Sequence, residues 1–107
     1  METIHKTQLR FGLRDYAIPA DAEILSFAVQ RGVPTIWYRT KIVEIQPTPL
    51  TVFTPPPTGR PILLIETGSV LPEHMQWKFI GTVLLENDNY VLHAFEMGEG
   101  LDIEEAV

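Results

Sequence analysis

The apolar residues of this chain nowhere hold the i, i+3, i+4, i+7 spacing of an α-helix for long before a glycine or proline interrupts them. Short runs rich in β-branched and aromatic residues recur instead, and turn-forming residues separate them. The length of 107 residues suits one domain. The sequence therefore predicts a mostly-β single domain, an antiparallel sandwich or small barrel of about six to eight strands.

The clearest predicted hairpin joins Glu23–Gln30 to Pro34–Tyr38. Leu25, Phe27 and Val29 alternate with polar residues in the first strand, which indicates one buried and one wet face. The intervening Arg31-Gly32 predicts a tight turn, because glycine adopts positive φ at little cost.

A second hairpin is predicted from Trp77–Leu85 and Tyr90–Glu96, since Asn87-Asp88-Asn89 between them tolerates left-handed backbone. Further strands are expected at Ile4–Phe11, at Asp15–Ile18 and at Ile62–Thr67. The last of these opens with the unbroken apolar run Ile62 to Ile65, which predicts burial on both faces. One helical turn is expected at Pro72–Met75.

Residues 46–61 hold six of the nine prolines and no acid. Proline removes an amide donor, so this segment is expected to stay out of a central strand and to form a polyproline-like loop or an exchanged arm gripped by Leu50, Val52 and Phe53. The predicted organisation is a β domain over residues 1–96, including this loop or arm, followed by an acidic tail over residues 97–107.

The charge pattern narrows the class of partner. The net charge is −6, seven of the eight Lys and Arg residues lie at or before Arg60, and the chain from Glu86 onward carries acids only. No basic stripe of the kind that binds nucleic acid is present. No apolar run is long enough to span a membrane, and the absence of cysteine removes disulfides and zinc–thiolate sites.

Catalytic and metal signatures are missing from the sequence. His5, His74 and His93 are too far apart in the chain to form a local metal-binding pair, and no cofactor-binding glycine loop or serine elbow is present. His93 and Glu96 lie three residues apart on one strand and are expected on opposite faces, which argues against an acid–base pair. We therefore predict no enzyme, no cofactor and a structural or interface role for His93.

The most suggestive local pattern is Trp37-Tyr38-Arg39-Thr40-Lys41. On a strand, Trp37, Arg39 and Lys41 project to one face, where an aromatic ring beside two cations favours an anion, a nucleotide or an acidic partner. The alternative is an ordinary amphipathic strand whose long cationic side chains lie along the surface. The candidate binding residues are Trp37, Tyr38, Arg39, Lys41, Phe53 and His93.

Several segments together carry a family resemblance. They are Ile4-His5-Lys6, the stretch from Ile18 to Ser26, Val29-Gln30-Arg31-Gly32-Val33-Pro34-Thr35-Ile36-Trp37, Thr67-Gly68 followed by Leu71-Pro72, Phe79-Ile80-Gly81-Thr82-Val83 and Val91-Leu92-His93-Ala94-Phe95-Glu96. In this order they resemble a family of small, uncharacterised tailed-phage proteins. Relative to that family, Ile42–Pro61 looks like a lengthened link and Met97–Val107 like an extension.

The resemblance implies a phage or prophage gene acting in the host bacterial cytoplasm, and it brings no activity with it. The leading expectation is an accessory protein that inhibits a host or anti-phage defence component, either by occupying a protein surface or by sequestering a small anionic ligand. The alternative is a minor virion or assembly component. A homo-oligomer is expected in either case, because an open sandwich leaves edge strands unpaired.

Overall fold

The computed structural model describes residues 1–41 and 59–98 and confirms the predicted all-β class. Its seven strands are β1 (Glu2–Gln8), β2 (Gly12–Tyr16), β3 (Glu23–Gln30), β4 (Val33–Lys41), β5 (Arg60–Glu66), β6 (Trp77–Leu85) and β7 (Tyr90–Met97). These ranges contain no helix, and therefore none that is long and apolar enough to cross a membrane.

The strands form two antiparallel sheets. A three-stranded sheet has the order β1-β4-β3, and a four-stranded sheet has the order β2-β5-β7-β6. The chain passes between the sheets after β1, after β2 and again between β4 and β5. Each sheet therefore mixes strands that are distant in sequence, as expected for a sandwich.

Both predicted hairpins are confirmed. β3 and β4 pair through a two-residue turn in which Arg31 and Gly32 both have positive φ, 52° and 78°. That combination matches the right-handed twist of the flanking strands. β6 and β7 pair around Glu86, Asn87 and Asp88, which all lie in the left-handed region.

The predicted alternation in β3 is wrong at Leu25. A bulge between Ile24 and Ser26 inserts one extra residue, so Leu25 is 42% exposed while Ile24 joins Phe27 against the core. A bulge sets two residues opposite one on the partner strand, and the side chains before it change faces. The buried face of β3 therefore consists of Ile24, Phe27 and Val29.

The core lies between the inner faces of the two sheets. The three-stranded sheet contributes Ile36 and Tyr38, and the four-stranded sheet contributes side chains from all of its strands. The members from that sheet are Tyr16, Ile62, Leu64, Val83, Leu92 and Ala94. The segments that link the strands add Leu9, Ile18 and Ala22.

The sheets approach closely where β3 crosses β6. A Cβ built on Gly81 would lie 3.3 Å from the Cδ2 atom of Phe27, so the absence of a side chain leaves room for that ring. Gly81 follows a second bulge, between Phe79 and Gly81, and Ile80 packs against the core there. At this edge of the sandwich the two sheets therefore meet through two bulged strands, β3 and β6.

β5 confirms one prediction and corrects another. Ile62, Leu63 and Leu64 are all buried, as the unbroken apolar run predicts. Pro61, however, lies within β5, a central strand, although the proline-rich segment was expected to avoid one. Pro61 pairs with Asp15 of β2, and the ladder to β7 begins only at Ile62, so the missing amide donor falls at a strand end.

Two shorter predictions also change. The expected strand over Asp15–Ile18 begins earlier and ends at Tyr16, whose hydroxyl bonds back to the amide and carbonyl of Arg10 at 2.9 and 3.3 Å. Pro72–Met75 forms a turn in which His74 has a φ of 66°, and not a helical turn. The described residues do not include Leu50, Val52 and Phe53, the predicted apolar contacts of the proline-rich segment, or the tail beyond residue 98.

One ion pair closes the end of the sandwich. Arg60 donates from Nε and Nη2 to the Glu96 carboxylate at 2.6 and 2.8 Å, and both side chains are only 16% exposed. Its Nη1 donates to the carbonyls of Pro19 and Ala22 at 3.2 and 2.7 Å. Donation of hydrogen bonds to Glu96 raises the pKa of Arg60 against the opposing effect of burial, so the guanidinium stays charged.

Replacing Glu96 by Gln should lower the free energy of unfolding by about 2 kcal/mol, because a mostly buried guanidinium loses its counter-charge. Urea unfolding of the variant and the parent protein measures the difference. Glu23→Gln is the matched control, since Glu23 pairs with Arg39 at a largely exposed site and should cost about 0.5 kcal/mol. Equal losses in the two variants would contradict a structural role for the buried pair.

Candidate functional site

The predicted binding strand β4 presents its outer face to solvent in the middle of the three-stranded sheet. The register places Lys6 of β1 and Ser26 of β3 directly opposite Trp37, and Ile4 and Glu23 opposite Arg39. Paired residues share a face of the sheet. We call this surface the Trp37 face and define it by Ile4, Lys6, Glu23, Ser26, Trp37 and Arg39.

The Trp37 face has a small apolar centre. Ile4 is 58% exposed and Trp37 is partly exposed, and they lie diagonally across the β1–β4 ladder. Charged and polar side chains surround them on both neighbouring strands. An exposed aromatic anchor with a polar rim is the usual anatomy of a protein-binding hot spot.

The cations of this face already have partners within the chain. Arg39 forms an ion pair with Glu23 through Nη2, and its Nε lies 3.8 Å from Glu2. Lys6 Nζ donates to Gln30 Oε1 at 2.6 Å. Two carboxylates around one guanidinium disfavour a further anion, so the arrangement suits a protein surface better than a small anionic ligand.

A buried threonine, Thr35, lies beside the polar side chains that surround Trp37. Thr35 lies on the same outer face, between Gln8 and Ala28, yet it is 0% exposed. Its hydroxyl donates to the carbonyl of Val33 at 2.9 Å, which satisfies the buried oxygen. Lys6 and Gln30 reach toward each other from the strands on either side of it.

The remaining predicted binding residues do not gather around Trp37. Tyr38 projects into the core, is 8% exposed and has its ring 5.9 Å from that of His5. Lys41 ends β4 opposite Glu2, on the same side of the sheet as Arg39 but four residues from Trp37. Phe53 lies outside the described residues, and His93 belongs to the other sheet.

His93 is held by two threonines on the outer face of the four-stranded sheet. Its Nε2 lies 2.7 Å from Thr67 Oγ1 and its Nδ1 lies 2.8 Å from Thr82 Oγ1. Glu96 instead reaches the inner side, where it binds Arg60, so the strand separates the two as expected. Within residues 1–41 and 59–98, no cluster of His, Asp and Glu side chains could hold a metal ion.

A cleft of about 330 Å³ opens beside the buried ion pair, where the start of β3 faces the start of β6. The charged residues Glu23, Arg60, Lys78 and Glu96 line it together with apolar side chains. Arg60 donates its hydrogen bonds to Glu96 and to two carbonyls. Lys78 is therefore the cation of this cleft that could contact a ligand. One exposed lysine does not make an anion site.

Residues 1–102 match a protein family described as a domain of unknown function, DUF7352. The chain belongs to that family. No curated protein and no solved structure matches it. The comparison thus shows a family of unknown function, and the match extends through the proline-rich segment and into the acidic tail.

The DUF7352 domain has a second exposed face that the sequence reasoning missed. Leu13, Leu63, Phe95 and Phe79 form one row across all four strands of the larger sheet, on the side away from the core. The same side carries Pro61, Ile65, Trp77, Leu84, Val91 and Met97. We call this surface the Phe79 face. Apolar residues on both sides of β5, β6 and β7 were the available signal.

Replacing Thr82 by Val should remove the partner of the His93 Nδ1 atom and lower the free energy of unfolding by about 1 kcal/mol, because a partly buried ring nitrogen loses its hydrogen bond. Urea unfolding gives the difference. Thr7→Val is the control, since the Thr7 hydroxyl has no hydrogen-bond partner among the described residues. A Thr82→Val variant as stable as its parent would show that solvent serves His93 equally well.

Proposed function

We propose that this protein acts by binding another protein through the Trp37 face. The observation that carries the proposal is the partly exposed Trp37 beside an Arg39 that is paired with two carboxylates and a Lys6 that is hydrogen-bonded to Gln30. Arg39 therefore needs no counter-ion from the partner, and Lys6 keeps a hydrogen bond when water is excluded. The energy of association then comes mainly from covering Trp37 and Ile4.

The biological setting of the proposal comes from the family resemblance. We propose a phage accessory protein in the cytoplasm of the host bacterium, whose partner is a host or anti-phage defence component. Occupying a partner surface inhibits it without any chemistry by this chain, so the protein is proposed to be an inhibitor and not an enzyme. The paired state of Arg39 makes sequestration of a small anion the weaker form of the idea.

Truncating the anchor should abolish partner binding. In a Trp37→Ala/Arg39→Ala variant we expect affinity to fall by about 2–4 kcal/mol, at least thirtyfold, because hot-spot residues contribute most of the binding energy. Tagged protein is expressed in a bacterial host, cross-linked gently, and its co-purifying proteins are quantified by mass spectrometry. The affinity for a recovered partner is then measured by calorimetry.

The matched control is Tyr90→Ala/Arg14→Ala, which removes one exposed aromatic ring and one exposed guanidinium from the other sheet. It should recover the same partner at the parent level. Thermal unfolding shows that both variants are folded. A partner retained equally by the Trp37 variant and the control, or no partner enriched by the parent protein, would overturn the proposal.

A second candidate function is a minor virion or assembly component, and the apolar Phe79 face favours it because assembled particles bury such faces between subunits. Mass spectrometry of purified particles separates the two functions. Stoichiometric copies in the particle indicate the assembly role. Absence from the particle, combined with expression early in infection, indicates the inhibitor.

A further inference from the structure

The Phe79 face exposes an apolar area in the upper part of the range that small monomers show. Leu13, Phe79 and Leu84 are 45%, 57% and 52% exposed. With about 200 Å² for a fully exposed side chain of this size, these three alone present on the order of 300 Å². The partly exposed Ile65, Trp77, Val91, Phe95 and Met97 raise the area to roughly 500 Å², near the upper limit seen on monomers.

From this face we propose that the protein is a homodimer in which two copies of the four-stranded sheet stack face to face. A stable dimer buries about 800 Å² per subunit, of which roughly 65%, or about 500 Å², is apolar. The Phe79 face supplies that area. The proposal does not depend on the proposed function, since it concerns the sheet that lies opposite the Trp37 face.

A second copy fits the face because the face is apolar, carries little charge and is self-complementary. Its row of Leu13, Leu63, Phe95 and Phe79 runs from one sheet edge to the other, and a two-fold axis brings this row onto its own copy at the ordinary sheet spacing of about 10 Å. Asp15 is the one acid among the described strand residues of this face. The net charge of −6 therefore does not oppose pairing there.

The polar side chains in the middle of the Phe79 face already hydrogen-bond to one another, so a partner can cover them at little cost. His93, Thr67 and Thr82 lie in its middle and satisfy one another, with both ring nitrogens within 2.8 Å of a hydroxyl. A partner sheet can cover them without leaving an unpaired ring nitrogen. On a face that stayed in water, water molecules would satisfy the His93 ring nitrogens without the two threonines.

The test is the oligomeric state of the full chain by analytical ultracentrifugation, over concentrations from about 1 to 100 μM. We expect a dimer for the parent protein and a monomer for Phe79→Glu/Leu84→Glu, with the dissociation constant raised at least a hundredfold. Ile4→Glu is the matched control, because Ile4 is 58% exposed against 57% for Phe79 but lies on the other sheet. It should leave the dimer intact.

Circular dichroism confirms that each variant is folded, which is expected because the substituted side chains are largely exposed. A parent protein that is monomeric at 100 μM overturns the proposal. If that monomer also fails to bind a hydrophobic dye, the face is covered within the chain. If it binds the dye, the occupant is a different protein. A dimer that survives Phe79→Glu/Leu84→Glu, or that Ile4→Glu dissociates, overturns it as well.

Discussion

The arrangement of the two sheets depends on the hydrogen bonds that the Arg60 guanidinium donates. One guanidinium joins β5 to β7 through Glu96 and holds the carbonyls of Pro19 and Ala22, in the segment where the chain leaves the four-stranded sheet for the three-stranded one. The pair is 16% exposed, so removing either charge leaves the other poorly solvated. The network thereby fixes where β3 begins and how it lies over β6.

The two outer faces of the sandwich differ in the chemical character of their side chains. The three-stranded sheet presents paired charges around Trp37, while the four-stranded sheet presents an apolar row with a self-satisfied histidine. The two proposals use opposite faces and are therefore compatible. In the proposed dimer the two apolar sheets meet at the centre, and one Trp37 face points outward at each end. We propose that such a dimer binds two partner copies, since linked sites raise the effective affinity for any partner that is itself oligomeric.

Local signals predicted the hairpins, because the backbone preferences of Gly32 and of Asn87-Asp88 act within a few residues. The apolar run after Pro61 likewise predicted a strand buried on both sides. Contacts between distant residues could not be predicted this way. Arg60 and Glu96 are 36 positions apart, and no periodicity of either strand shows that they meet. Tyr38 was placed among the binding residues by its neighbours in sequence, although strand alternation turns it into the core.

The two bulges decide which side chains of β3 and β6 reach the outer faces. Without the bulge in β6, Phe79 would share the inner side with Gly81 and Val83; with it, Phe79 pairs with Phe95 on the outer side. The bulge in β3 acts in the same way on Glu23, which reaches the outer side and meets Arg39. A single inserted residue thus adds Phe79 to the apolar face of one sheet and Glu23 to the paired charges of the other. Both candidate surfaces follow from where the pleat is interrupted, and β3 and β6 are the strands that contact each other across the sandwich.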